Sequence, residues 1–154
     1  MMSNMNVHTQ YSDGVTSTIP PYLIKAYFET NYVVKSSPEI VLNIGKQSSS
    51  VMGLHLKFNV NCSAFITAFN PYSKQLNDHE NSQRNKNLTD YLSANKFIFI
   101  EGLGIHPSNE WPGEPSFLVL GMNYQSAKAI AIRYEQNAVV MIDQDSIPKL
   151  VLMR

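Results

Sequence analysis

Between residues 64 and 143, four short apolar runs alternate with two long amphipathic stretches, and this order limits the fold more than any other feature of the chain. The runs are 64–69 (AFITAF), 96–101 (KFIFIE), 116–122 (SFLVLGM) and 138–142 (AVVMI). Each is rich in β-branched or aromatic residues and too short for a stable helix, so each predicts a strand. Between the first and second, Asn77 or Asp78 caps a helix reaching Ala94, with Leu88, Tyr91 and Leu92 on its buried stripe. Between the third and fourth, Asn123 caps a helix to about Gln136, in which Ala127, Ile130, Ala131 and Tyr134 recur at i, i+3, i+4, i+7. The order β-α-β-β-α-β predicts an α+β fold: a mostly antiparallel sheet with a ferredoxin-like core and both helices on one face. A three-layer α/β arrangement is the rival, because strands this short suit either. Gly102 and Gly104 are read as breaking the second strand, which leaves residues 106–115 as a long loop.

The flanks extend this core. Pro20 and Pro21 suit a first helical turn, and Leu23, Ala26 and Tyr27 then share one face of a short helix over 22–29. Residues 31–35 and 40–44 read as a β-hairpin, followed by a short helix over 48–56 that Gly53 weakens. At the other end, a turn at 143–146 returns the chain as a closing hairpin strand over 147–152. Residues 1–19 are polar and aperiodic and are expected to form a mobile tail, leaving 20–154 as one α/β domain.

Bulk properties exclude several classes of function. With 44% apolar and 16% charged residues, 154 residues can bury a core without disulfide or metal staples. Twelve basic residues balance twelve acidic ones, so no broad field attracts nucleic acid or anionic lipid. No apolar run approaches the roughly 18 residues of a membrane span, and the first residues lack the pattern of a secretory signal. Cys62 is the one cysteine, which fits a reducing, cytoplasmic setting; its place before an apolar strand suits a buried thiol better than a nucleophile.

Strong chemical motifs are missing. There is no HExxH, no clustered Cys/His pattern and no G-x-S-x-G, and His8, His55, His79 and His106 lack zinc-ligand spacing. Gly102-Leu103-Gly104 is not followed by a helix whose N-terminus would hold a pyrophosphate. No metal and no cofactor is therefore expected. What remains is a set of polar residues at the ends of elements: Asn70, Asn81, His106, Trp111, Glu114, Ser116 and Gln136. Several have ordinary explanations. Asn70-Pro71 is a natural turn, Asn81 can bond within its own helix, and Trp111 can anchor a loop. Glu114, fixed between Gly113 and Pro115, is an unusual setting for a surface carboxylate, and His106 is a candidate acid or base. Glu110 and Glu114 alone make a weak cation site.

The segments 64–71 (AFITAFNP), Asn81, 102–104 (GLG), 111–117 (WPGEPSF) and 134–138 (YEQNA) resemble the bacterial domain-of-unknown-function family 3293. The resemblance spans roughly residues 22–150, with Phe69 standing where the family pattern has tryptophan. It implies a bacterial, cytoplasmic protein and places Asn70, Asn81, Trp111, Glu114, Ser116 and Gln136 in the family pattern, but it supplies no catalytic residues.

Three functions are open at this point. The first is a binding module for a small polar ligand or a protein partner, with Trp111 packing on the ligand, Glu114 accepting its hydrogen bonds, and Asn70 and Gln136 orienting it. The second is a hydrolase using Glu114 or His106 as general base, with Asn70 and backbone amides near Gly102 stabilising developing charge. The third is an interaction protein acting through Trp111 or through the edge strand 147–152, for instance as a homodimer by strand addition.

Overall fold

In the computed structural model, which describes residues 17–108 and 112–154, the apolar runs become strands of one continuous sheet. The chain runs α1 (Pro21–Glu29), β1 (Asn31–Val34), β2 (Ile40–Leu42), α2 (Ser49–Lys57), β3 (Ser63–Ile66), a 3-10 turn (Pro71–Ser73), α3 (Asp78–Ala94), β4 (Ile98–Ile105), β5 (Glu114–Leu120), α4 (Tyr124–Arg133), β6 (Ala138–Ile142) and β7 (Pro148–Leu152). The strand order is β2-β1-β4-β5-β3-β6-β7. Every neighbouring pair is antiparallel. The β1–β2 hairpin extends the sheet beyond β4, and β7 extends it beyond β6, as the hairpin patterns at the two ends predict.

The pleat sorts the strand residues onto two apolar faces. On one, Ala64, Ile66, Phe117, Val119, Val139 and Met141 meet Leu88 and Leu92 of α3 and Ala127, Ile130 and Ala131 of α4. On the other, Phe65, Leu118, Leu120, Val140 and Ile142 meet Val51 of α2. Leu150 and Leu152 of β7 take Leu23, Ile24, Tyr27 and Phe28 of α1. Helices thus cover both faces. The expected pairing of α3 and α4 on one face is present, and α1 and α2 add a third layer that the helical pattern of 64–143 alone does not contain.

Gly102 does not break its strand. It lies inside β4, in register with Val34 on one side and Ser116 on the other. A Cβ there would sit 2.6 Å from the Val33 carbonyl oxygen and 2.8 Å from the Phe65 ring, so the glycine permits a close approach rather than a turn. β4 continues unbroken to Ile105, and the expected loop over 106–115 shortens because Glu114 and Pro115 enter β5. Proline is tolerated because its carbonyl, and hence its nitrogen, faces the side where β3 has already ended; that carbonyl accepts from Thr67 Oγ1 (2.7 Å) and Asn85 Nδ2 (3.0 Å) instead.

The boundary of the N-terminal tail also moves. Ile19 is buried against Leu150 and Leu152, and Ser17 Oγ donates to the Arg154 carbonyl at 2.6 Å. The remainder of the tail expected over 1–19, residues 1–16, lies outside the described residues. No helix among the described residues is long and apolar enough to cross a membrane.

Side-chain caps fix where three helices begin. Ser48 accepts from the Val51 N–H, Asn77 from Glu80 and Asn123 from Ser126, at 3.1, 2.8 and 2.9 Å. Asn123→Ala is expected to lower stability by about 1 kcal/mol in urea denaturation. An unchanged midpoint would remove this cap from the account of α4.

Candidate functional site

The strand ends nearest α1 leave a cavity of about 340 Å³, within the range of small-molecule sites. Asn70, Asn81, His106, Glu114, Ser116 and Gln136 all line it. Trp111, the seventh candidate from the sequence, lies outside the described residues, as does Glu110. The six arrive from five places in the fold. Glu114 and Ser116 open β5, His106 follows β4, Asn70 follows β3, Asn81 sits in the first turns of α3, and Gln136 follows α4.

Asn70 and Asn81 form a reciprocal clasp. Asn81 Oδ1 accepts from the Asn70 N–H at 2.8 Å, and Asn81 Nδ2 donates to Asn70 Oδ1 at 2.8 Å. Asn70 Oδ1 also accepts from the Leu76 N–H at 3.0 Å, which closes the loop between β3 and α3. Asn70 itself is left-handed (φ 48°), as are Tyr72 (φ 51°) and Ser73 (φ 62°). Asparagine tolerates that region; tyrosine and serine do so at a conformational cost. The strain is held by hydrogen bonds from Tyr72 N–H to the Glu135 carbonyl (2.6 Å) and from Ser73 N–H to the Asn70 carbonyl (2.8 Å).

The clasp leaves Asn70 Nδ2 to donate to Glu114 Oε2, at 3.3 Å, and this is the one hydrogen bond to the carboxyl among the described residues. Burial raises the Glu114 carboxyl from its ordinary 4.5 to about 7, with the Asn70 bond pulling the other way. The group is hemmed in by protein yet keeps partial contact with the cavity.

Two tyrosines outside the sequence candidates, Tyr27 of α1 and Tyr32 of β1, share the cavity with this carboxyl. Burial first, and the Glu114 charge to a lesser degree, raise both phenols above the usual tyrosine range. Tyr27 Oη shares a hydrogen bond with Ser73 Oγ (2.7 Å), and Asn137 Nδ2 donates to Tyr27 Oη (3.0 Å) and Ser73 Oγ (3.2 Å). Tyr32 Oη donates to the Tyr27 carbonyl at 2.6 Å, and its ring meets Phe65 edge-on at 5.3 Å.

The remaining candidates brace the wall. Ser116 Oγ donates to the Glu114 carbonyl (2.9 Å), and Gln136 Nε2 donates to the carbonyls of Phe69 (3.0 Å) and Tyr134 (3.1 Å). His106 lines the cavity beside Glu114 but is held elsewhere, with Nε2 3.0 Å from Glu29 Oε1 and Nδ1 2.8 Å from Ser108 Oγ. Gly102, proposed from the sequence to lend backbone amides, lies between two paired strands.

Asn85 is a bracing residue that the sequence reading did not single out. It is buried, accepts from the Ala68 N–H (2.9 Å) and donates to the Pro115 carbonyl (3.0 Å), so it ties the end of β3 to the start of β5. Its signal was present: Asn81, Asn85, Leu88 and Leu92 share the buried face of α3, so extending the Leu88–Leu92 stripe one and two turns upstream reaches both amides. Beside it, Arg84 donates to the carbonyls of Ala68 and Tyr134 and pairs with Glu135 at 3.5 Å, so its charge is committed to the wall.

No group of three or more His, Cys, Asp or Glu side chains among the described residues is placed to hold a metal ion.

Residues 66–139 match the model of a family described as a protein of unknown function (DUF3293). The match is narrower than the span of 22–150 over which the sequence resembles that family. It takes in all seven sequence candidates and stops short of Tyr27 and Tyr32. No curated protein and no solved structure matches the chain.

Proposed function

We propose that this protein is a binding module that takes a small polar ligand into the cavity beside Glu114. One observation carries the reading: a carboxyl confined at a cavity wall with a single neutral amide for a partner among the described residues. Burying such a group without a cation destabilises the folded chain, and ordinary surface selection does not produce it. The left-handed residues Asn70 and Ser73, which both line the cavity, point the same way, because backbone strain of this kind collects at ligand sites. In this reading Glu114 meets the hydrogen-bonding end of the ligand, Tyr27 and Asn137 orient it, and Asn70 and Gln136 fix the wall.

We read residues 20–154 as a single domain, against which Ser17 and Ile19 also pack. We read β3, β4, β5 and β6 with α3 and α4 as its ferredoxin-like core, in which each helix follows one of two adjacent central strands, β3 and β5. That core bears on where the cavity lies, at one end of the strands, and not on what enters it.

The test is a thermal-shift screen of nucleosides, amino acids, amines and sugars against the wild type and Glu114→Ala. A ligand at 100 times its Kd should add roughly 2.7 kcal/mol to the stability of the wild type. The reading predicts at least one such compound whose effect disappears in the variant. A screen that leaves the melting temperature of folded wild type unmoved across all classes would sink it.

A second reading is a hydrolase in which Glu114 transfers protons. In its favour is a carboxyl held at about 7, where a general acid or base works best near neutrality. Against the version with Asn70 as charge stabiliser, that side chain is already occupied by Glu114, Leu76 and Asn81.

A further inference from the structure

The charges around the cavity narrow the ligand. Its described lining includes two carboxylates, Asp78 and Glu114, and no lysine or arginine. Its one histidine, His106, stands against the Glu29 carboxylate. A phosphate or carboxylate ligand would therefore meet no uncommitted side-chain cation and two acidic groups.

Backbone dipoles lean the same way. The C-terminal ends of α1, at Tyr27 and Thr30, and of α4, at Gln136 and Asn137, both reach the lining, and helix C-termini carry partial negative charge. The single N-terminus there, that of α3, is already capped by Asn77 and flanked by Asp78 and Glu80. The apolar part of the wall includes Tyr27, Tyr32, Phe65 and Phe69, and aromatic rings present the negative face of a quadrupole to a cation.

Resting on the binding-module reading, we infer that the ligand is a small organic cation, its ammonium or amidinium nitrogen set against the Glu114 carboxylate and its carbon skeleton against the aromatic wall. The Asn70 bond takes Oε2 and leaves Oε1 for the ligand nitrogen. Binding makes the Glu114 carboxyl, whose partner among the described residues is the neutral Asn70 amide, half of an ion pair, which offsets the cost of desolvating it. Among the described residues, the titratable groups that line the cavity with Glu114 are Tyr27 from α1, Tyr32 from β1, Asp78 from α3 and His106 after β4. Asp78 adds negative charge, and the two phenols stay neutral across the working range because burial raises them. An arriving cation should therefore expel a proton from Glu114, and its affinity should climb as pH rises through about 7.

Matched probes test this: n-butylamine, 1,4-diaminobutane and phenethylamine, against 1-butanol and butyrate, by isothermal titration and thermal shift on the full chain. The amines should bind, with affinity rising about tenfold between about pH 6 and pH 8. Glu114→Gln, which keeps an acceptor for Asn70, should weaken them roughly ten- to hundredfold. The pH dependence in wild type keeps the inference testable even should the variant misfold. Binding of butanol or butyrate in preference to the amines, or amine affinity that is flat with pH and unchanged in Glu114→Gln, overturns the cation assignment. If the broader screen still finds a Glu114-dependent ligand, the binding module survives that failure. Silence from both the probes and the broader screen removes the two together.

Discussion

Glu114→Gln is expected to stabilise the empty protein by about 2 kcal/mol at about pH 8 and to leave its stability unchanged near pH 4. The folded chain holds the Glu114 proton up to about 7, whereas the unfolded chain releases it near 4.5. Between those values unfolding releases a proton, so wild-type stability falls as pH rises and stays at its lower level above about 7. The full interval corresponds to roughly 3 kcal/mol at 1.36 kcal/mol per pH unit, and solvent reaching the carboxyl through the cavity screens part of it. Glutamine has the same shape, can accept from Asn70 Nδ2 through its own Oε1, and does not ionise. All other titrating groups are common to both proteins, so the difference between their urea curves at the two pH values isolates Glu114. Equal stability of the two at both pH values would mean that the carboxyl is solvated like any surface glutamate. A variant less stable than wild type at about pH 8 would mean that the carboxylate has a favourable partner. Either result removes the ground for a ligand site.

This effect also ties the site to the fold. A side chain that lowers stability at neutral pH persists where it does something other than stabilise. The backbone of Glu114 is held by the strand, in register with Gly104, and by Ser116 bonding its carbonyl, so its side chain leaves the main chain from a fixed point at the cavity wall. The rigidity suggested by Gly113-Glu114-Pro115 in the sequence therefore has its physical form in a strand rather than in the loop that the glycines of 102–104 led one to expect.

Other parts of the molecule were less legible. The strands of 64–143 and the helices α3 and α4 can be read because their periodicity is local, within a window of a dozen residues. Asn70, Asn81, His106, Ser116 and Gln136 stand out because polar residues at element ends are few, and chain reversal gathers such ends. Tyr27 could not be found that way. Its spacing with Leu23 says only that one face of α1 is buried, and both residues do pack there. That its hydroxyl meets Ser73 and Asn137, 46 and 110 residues away, follows from how α1 lies across the sheet. Gly102 misled for a related reason. A glycine in a strand pattern signals either a break or a close approach, and only the position of Phe65 and the Val33 carbonyl distinguishes them.

Asn81→Ala should destabilise the protein by about 2–3 kcal/mol and should affect the carboxyl at a distance. Asn81 is buried, and its amide does three things at once: it accepts from the Asn70 N–H, donates to Asn70 Oδ1 and reaches the Leu76 carbonyl at 3.4 Å. Alanine takes the partner from the part-buried Asn70 N–H and leaves Asn70 Oδ1 with Leu76 alone. The left-handed backbone at Asn70, Tyr72 and Ser73 then loses a restraint that opposes its strain. Once Asn70 is free to rotate, Glu114 loses the one bond that holds its pKa down, so its carboxyl should titrate higher than in wild type. Urea denaturation reads the first effect, and carboxyl carbon shifts of labelled glutamate followed against pH read the second. A variant with wild-type stability would show that water entering from the cavity takes over the bonds of Asn81. A large loss of stability with an unmoved Glu114 titration would show that Asn70 keeps its place without the clasp, and that the two halves of the site are independent.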